Sequence, residues 1–543
     1  MALKKIQKTE ELKEKRPIPK RLIASIVVLL AGNLMFFLTV WLLSKYDQVR
    51  LDQVIFQMKT SAAEANRSLL GSAFVRVGGF GVGATLIEVF LHMWLSGRLY
   101  GLFAKHKGYL KYCVSKTANF FNKIFLPYTL VALIASCSWF VHRLNVVDFV
   151  SDSVTESDFI EEHYVNPNDA NLVFPETKRN LIYIFLESME TTYSDPSAGG
   201  LITSNFIPEL MMLAAENVSF SNDSTFGGAL TVDGTTWTAA AMVAQTSGVM
   251  VKVPFTADTY GGENEFIPGL VSIGEVLEKQ GYQQTLLIGS NGQFAGRDSY
   301  FTEHGNYQVL DTEELKAQGR LPEDYREWWG FEDQKLFAYA KEELTKLGES
   351  GQPFNFTMLT ADTHFPDGYV CELCDDFYEE QYSNVLACSS RQVSEFISWI
   401  QEQPFYENTT IVISGDHLTM DPEFLDEIEE DYVRTVYNCI INSPIQPVQS
   451  TNRQYTVMDM MPTTLAAMGV TIEGERLGLG TNLFSGTKTL MEQYGFEFLV
   501  EELQKKSVFY NTQFLAMEED EEEEDVISRK ISESASRKIR LNS

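Results

Sequence analysis

The chain has 543 residues, more than one ordinary domain, with strongly apolar blocks early and acidic blocks late, so at least two differently solvated parts are expected. Its formal net charge of −31, from 74 Asp plus Glu against 43 Lys plus Arg, argues against nucleic acid or an anionic membrane face as partner of the large acidic part. Phosphate chemistry in such a chain must draw on local positive charge, from a metal or one well-placed arginine.

The first predicted element is a membrane helix over 22–43, uncharged and flanked by Arg21 and Lys45. No small-residue cleavage site follows it and more apolar spans do, so it reads as an uncleaved anchor. Further spans are expected over 77–95 and 124–141, with Pro127 opening the third, where proline is tolerated. The segment 1–20 is basic, and so is the connection carrying Arg98, Lys105, Lys107, Lys111, Lys116 and Lys123. The positive-inside rule therefore places the N-terminus in the cytoplasm and everything after Leu144 outside. Glu88 in the second span is either a lipid-headgroup contact or a polar contact to a neighbouring helix. Gly79 and Gly83, four apart, predict close helix packing.

Residues 145–174 are polar and aperiodic and read as a linker between the membrane domain, 21–144, and a globular domain, 175–495. In that domain four short apolar runs end at chemically competent side chains. These are 181–186 before Glu187, 285–289 ahead of Arg297, 354–360 before His364, and 410–414 before Asp416 and His417. Helical patterns alternate with them over 206–215, 270–279, 333–347 and 393–401, with more at 458–468 and 491–505. The alternation predicts an α/β fold, a mostly parallel sheet sandwiched by helices, whose ligands gather at the carboxyl ends of the strands. The acidic run 518–525, inside the helix-and-tail segment 496–543, predicts a solvated tail.

Glu187, Asp416 and His417 together would offer two carboxylates and an imidazole, a set suited to Mn²⁺, Zn²⁺ or Mg²⁺. The plainer alternative is that Asp416 caps a helix and His417 lies on the surface. Thr238, ahead of the small residues Ala239, Ala240 and Ala241, is either a nucleophile near a helix N-terminus or an N-cap threonine. The aromatic stretch 325–331, with Trp328 and Trp329, fits core packing better than an acyl or sugar site. Of six cysteines, Cys371, Cys374, Cys388 and Cys439 fall in the exported part. A bridge from Cys371 or Cys374 to Cys388 fits better than zinc, since no histidine follows at ligand spacing.

The strings 187–190, 234–242, 294–298, 363–368 and 414–417 occur in this order in membrane-anchored phosphoglycerol transferases. Over residues 175–495 the chain resembles the phosphoglycerol transferase I branch, relatives of lipoteichoic acid synthase in the sulfatase and alkaline phosphatase superfamily. The resemblance implies a threonine nucleophile, Thr238, and a divalent cation, Mn²⁺ first and Mg²⁺ or Zn²⁺ as alternatives, held by Glu187, Asp416, His417 and Thr238 itself. It also implies a phosphate-contacting Arg297, a proton-donating or substrate-binding His364, and a Cys374–Cys388 pair that leaves Cys371 over. The activity it implies is transfer of glycerophosphate from phosphatidylglycerol to an extracytoplasmic glycan at a bacterial inner membrane, releasing diacylglycerol. Lipoteichoic acid synthases have a lysine before the nucleophile and a tryptophan two before the arginine, where this chain has Trp237 and Ala295. Three expected spans rather than five also point away from polymerisation. The rival readings are phosphoethanolamine transfer and a non-catalytic glycan- or lipid-binding membrane protein.

Overall fold

The computed structural model describes residues 20–44, 51–60, 71–96, 109–254, 257, 259–261, 264–421, 424 and 432–517. The chain divides into two compact units, 1–49 with 66–147 and 50–65 with 148–543. The basic N-terminus, the basic connection around Lys105 and Lys107, and the acidic run 518–525 lie outside the described residues.

In the first unit the helices Lys20–Leu43, Gly71–Leu95 and Asn119–Arg143 are long and apolar enough to cross a membrane. The third belongs to a longer helix, Tyr109–Arg143, so Pro127 lies inside it rather than opening it. Residues 109–126 contain neither proline nor glycine to start the helix later. The Thr129 hydroxyl, donating to the Leu126 carbonyl at 3.0 Å, supplies one of the local bonds that make a proline tolerable in lipid. The glycine expectation also needs correcting. A Cβ on Gly79 or Gly83 would meet nothing within 4 Å, whereas one on Gly81 would come 2.9 Å from Leu34 and one on Gly32 3.2 Å from the Leu133 backbone. Close approach therefore uses Gly32 and Gly81, on helix faces that the four-residue spacing did not mark. Glu88 resolves as an interhelical contact, accepting from Asn33 Nδ2 at 3.1 Å and from the Tyr128 hydroxyl at 2.5 Å.

The second unit contains β1 (Leu172–Val173), β2 (Asn180–Leu186), β3 (Gln283–Ile288), β4 (Gln308–Leu310), β5 (Phe354–Leu359), β6 (Thr409–Gly415), β7 (Asn438–Ile441) and β8 (Thr471–Ile472). Its main sheet has the order β4-β3-β5-β2-β6-β7, parallel except for β7 on β6. Both faces are covered, which is why the central strands are continuous apolar runs. Along β2, Leu181, Tyr183 and Phe185 enter one core with Ala240, Met242 and Val243 of the helix Thr238–Ser247. Ile182, Ile184 and Leu186 enter the other, with Leu336 and Leu344 of the helix Asp333–Glu349 and Val393 and Phe396 of the helix Gln381–Gln401.

Two segments fold more fully than the sequence suggests. The stretch after Leu144 forms the helices Val146–Val154 and Phe159–His163 and then β1, antiparallel to β8, so it is built onto the domain rather than strung as a linker. The short helix Leu51–Lys59, from between the first two spans, buries Phe56 completely against Trp237, Tyr260 and Phe266.

Candidate active site

Parallel pairing in register aligns the strand ends: Leu186 lies beside Gly415, and Phe185 and Ile288 both lie beside Leu359. Glu187, Thr360 and Asp416 therefore emerge at one level. The Glu187 backbone N–H donates to Thr360 Oγ1 at 3.0 Å and the Asp416 N–H to the Leu186 carbonyl at 3.0 Å, which fixes the two acidic turns against each other. Ser188 takes a left-handed conformation, φ 52°, at the sharp exit from β2. From there its N–H donates to Asp416 Oδ1 at 2.8 Å and its hydroxyl to Glu187 Oε1 at 2.9 Å.

Thr238 is the first residue of its helix. The N-cap position is Trp237, with no side-chain cap, so the threonine is not capping. Its hydroxyl instead donates to Glu187 Oε2 at 3.2 Å and lies 3.3 Å from His417 Nε2. The uncapped first-turn N–H groups and the helix dipole make this end suited to an anion. Gln245, two turns on, donates from Nε2 to the Gly415 carbonyl at 2.9 Å and ties the helix to β6. Asp416 and His417 are both buried, which removes the reading of His417 as a surface residue.

Ligand atoms of Glu187, Asp416 and His417 lie within 4.8 Å of one another. Asp416 Oδ2 is buried and accepts no hydrogen bond. His417 Nδ1 pairs with the Leu418 carbonyl at 2.8 Å, which assigns the proton there and turns the Nε2 lone pair towards the carboxylates. An orphaned buried carboxylate oxygen beside an aimed imidazole nitrogen fits a divalent cation. Without one, burial and then the Glu187 charge push Asp416 above the usual carboxylate range. Burial works against a charged Glu187, but the His364 and His417 imidazoles outweigh it and hold that carboxyl low. Burial likewise works against a charged His417, and Asp416 and Glu187 outweigh it and raise its basicity.

Arg297 is buried, and its guanidinium is held by donation from Nη2 to Ser290 Oγ and the Asn291 carbonyl, both at 3.0 Å, and from Nε to the Phe294 carbonyl at 3.1 Å. Burial lowers its pKa to about 10, countered by Glu187, Asp298, Asp311 and Asp416, so it stays cationic near neutral pH. His364 Nδ1 pairs with the Phe365 carbonyl at 2.6 Å, leaving Nε2 uncommitted, and burial lowers the basicity of the ring. Thr238, Arg297, His364, Asp416 and His417 are thus each linked, by contact or by charge, to Glu187.

Sequence reading missed a clamp beneath that centre. Arg434 Nε donates to Glu190 Oε2 at 2.8 Å and Nη2 to the Thr419 carbonyl at 2.9 Å, while the Thr419 N–H donates to Glu190 Oε1 at 3.1 Å. Glu190 lies in the first motif string, but its partner is far along the chain and carries no local signal. The cysteines differ from expectation. Cys371, Cys374 and Cys388 are all free thiols, and Cys371, the one expected to be left over, is the sulfur in contact with the other two, 3.7 Å from Cys374 and 3.8 Å from Cys388. The turn closed by the Cys374 N–H on the Cys371 carbonyl, 3.1 Å, brings both sulfurs to the helix that carries Cys388.

A family model described as Sulfatase matches residues 179–470. Phosphoglycerol transferase I of Salmonella choleraesuis (strain SC-B67) is 33% identical over 322 residues, 58% of this chain and 40% of the relative. That of Citrobacter koseri is 32% identical over 320 residues, again 58% and 40%. The matched part thus spans less than half the length of these curated relatives. Among solved structures, the lipoteichoic acid synthase LtaP from Listeria monocytogenes superposes with a TM-score of 0.44 at 17% identity, covering 60% of this chain and 80% of that one.

Proposed function

The chain belongs to the sulfatase family, and from that premise we propose that it is a phosphoglycerol transferase. In this reading it moves glycerophosphate from phosphatidylglycerol to an extracytoplasmic glycan through a phosphoglyceryl-threonine intermediate. The observation that carries the reading is the Thr238 hydroxyl, at an uncapped helix N-terminus, within 3.3 Å of both Glu187 and His417.

Thr238 Oγ1 attacks phosphorus, with Glu187 Oε2 as the acceptor its proton already faces. The bond from phosphorus to the diacylglycerol oxygen breaks, and that oxygen takes a proton from Nε2 of His364 in its imidazolium form, which the nearby Glu187 carboxylate favours against burial. Arg297, pinned on its Nη2 and Nε sides, holds the charge spread over the phosphoryl oxygens. A glycan hydroxyl then attacks the same phosphorus and gives its proton to His364, while the bond from phosphorus to Thr238 Oγ1 breaks and that oxygen takes its proton back from Glu187 Oε2. A divalent cation held by Glu187, Asp416 and His417, with Thr238 beside it, would supply the Lewis acidity that lowers the hydroxyl pKa and offsets phosphoryl charge, and Mn²⁺ is our assignment.

In the same reading the protein sits in a bacterial inner membrane with its N-terminus cytoplasmic and this domain outside. The segments after the first and third spans fold into one unit, which supports placing both on one membrane face.

The test is intact mass of the full chain in detergent after exposure to phosphatidylglycerol. One added glycerophosphate on the Thr238 peptide is expected. Undiminished diacylglycerol release by Thr238→Ala would overturn the nucleophile, and release from phosphatidylethanolamine alone would overturn the donor.

A further inference from the structure

Glu327 and Gly330 exchange backbone hydrogen bonds of 3.0 and 2.8 Å, so Trp328 and Trp329 form the two-residue tip of a tight hairpin. Trp328 has φ 49°, a conformation a bulky residue adopts only when its surroundings hold it there, and such strain gathers at ligand clamps. What holds it is the end of the sheet. Its indole Nε1 donates to the Ala361 carbonyl, just past β5, at 3.2 Å, and the Phe331 N–H donates to the Gly289 carbonyl, just past β3, at 2.8 Å. Trp329 is thereby presented beside the catalytic centre with 37% of its surface exposed. Its ring centroid is 4.7 Å from that of His364 and 5.9 Å from that of Phe294, whose face lies 5.6 Å from the Arg297 guanidinium carbon.

We propose that Trp329 is the platform on which an uncharged pyranose ring of the acceptor glycan stacks, beside His364. The proposal deepens the transferase reading above and rests on it. A large exposed ring, fixed by strained backbone next to the reacting groups, is not core packing. It offers a flat apolar face with a polar N–H edge, and a pyranose complements it with an apolar C–H face and a rim of hydroxyls. The surroundings select against other occupants. The Tyr369 hydroxyl donates to Glu327 Oε2 at 3.2 Å on the rim of the same hairpin, so a polar edge stands where an acyl chain would need apolar wall. The −31 charge of the chain disfavours an anionic ligand away from the metal and Arg297. A neutral sugar placed here has its hydroxyls within reach of His364, the group assigned to take the acceptor proton.

The test is calorimetric binding of cellopentaose and maltopentaose to the full chain in detergent, for wild type, Trp329→Ala, Trp329→Phe and Trp399→Phe. Trp399 lies near the C-terminal end of the helix Gln381–Gln401, which leads into the amino end of β6, away from the carboxyl strand ends that carry the site, and serves as the aromatic control. We expect at least one oligosaccharide to bind wild type and Trp399→Phe equally, about tenfold or more weaker binding by Trp329→Ala, and an intermediate loss in Trp329→Phe. Saturation transfer from aromatic protons to the sugar C–H protons of wild type provides a readout independent of the variants' folding. Absence of binding or of transfer in wild type, or unchanged affinity in Trp329→Ala, overturns the subsite. Oligosaccharide binding without any glycerophosphate transfer would sink the transferase reading and leave the subsite standing.

Discussion

Phe56, which the sequence places between the first two apolar spans, packs its ring 5.4 Å from that of Trp237, the residue directly before Thr238. Nearby, Gln53 donates from Nε2 to Met420 Sδ at 3.7 Å, three residues past His417. The short helix Leu51–Lys59 thus touches the chain just before the proposed nucleophile and just after the proposed ligand His417.

The first prediction concerns topology. Met58, 80% exposed on that helix, and Val448, 76% exposed on the catalytic unit, must face the same compartment because they belong to one folded unit. Met58→Cys and Val448→Cys should both react, above the native-cysteine background, with a membrane-impermeant maleimide added outside spheroplasts. Labelling of one alone would contradict the fold. Phe56→Ala should lose about 3–5 kcal/mol, the range for emptying a buried phenyl site, read as a lower denaturation midpoint.

A second prediction follows from Asp416 Oδ2, buried without a hydrogen bond. Asp416→Asn keeps an Oδ1 acceptor for the Ser188 and His417 N–H groups but replaces the buried oxygen that accepts no hydrogen bond and removes its charge. The metal-free variant should therefore melt no lower than metal-free wild type. With Mn²⁺ at a hundred times its Kd, wild type should gain about 2.7 kcal/mol and the variant little or none. Calorimetry with and without chelator checks both halves. A metal response that survives in Asp416→Asn would remove this residue from the ligand set.

The third prediction is a pH dependence of a second buried pair of carboxyls. Asp333 and Asp362 face each other, each accepting the other's backbone N–H at 3.1 Å, and Asp362 Oδ2 has no partner. Burial, and for Asp362 then the Asp333 charge, raise both carboxyls, Asp333 to about 7 and Asp362 to about 10. A folded pKa above the unfolded value means the native state binds the proton more tightly. The associated stability is present below the unfolded pKa, near 4, and is lost as pH rises through 7 and beyond. The melting temperature of wild type should thus fall between pH 5 and pH 8, about those limits, more steeply than that of Asp362→Asn. Parallel curves would show that Asp362 does not bind its proton more tightly in the folded protein.

Much of this was legible because the chemistry sits where buried strands end. Glu187 and Asp416 each end a short apolar run that alternates with helical patterns, the alternation marks the runs as strands of one sheet, and parallel register then brings the two acids together. Thr238 was ambiguous between cap and nucleophile, since both readings put a threonine at a helix start, and only the position of Trp237 as N-cap separates them. Phe56 was not legible at all: its partner Trp237 is nearly two hundred positions away and nothing local marks the contact. Gly79 and Gly83 had the right spacing on the wrong face, which periodicity alone does not fix. Trp329 lay in a stretch read as core, because an aromatic run announces burial whether or not a hairpin tip turns one ring outward.

The Glu190–Arg434 pair gives the last prediction. Glu190 is fully buried and its carboxylate is shared among Arg434, the Thr419 N–H and the Thr192 hydroxyl. Because Arg434 also donates to the Thr419 carbonyl, the pair grips both backbone sides of the turn that follows His417. Removing one partner leaves the other charged in a dry site, at a cost of about 3–5 kcal/mol, whereas replacing both with apolar residues of similar volume is expected to cost far less. Arg434→Met should therefore destabilise more than the double variant Glu190→Leu, Arg434→Met. Both should weaken Mn²⁺ binding, because each frees the His417 turn. If instead the double variant recovers stability and metal affinity together, the clamp supports the fold alone. If stability returns while affinity stays low, the pair's role is to hold the imidazole of His417 in place against Glu187 and Asp416.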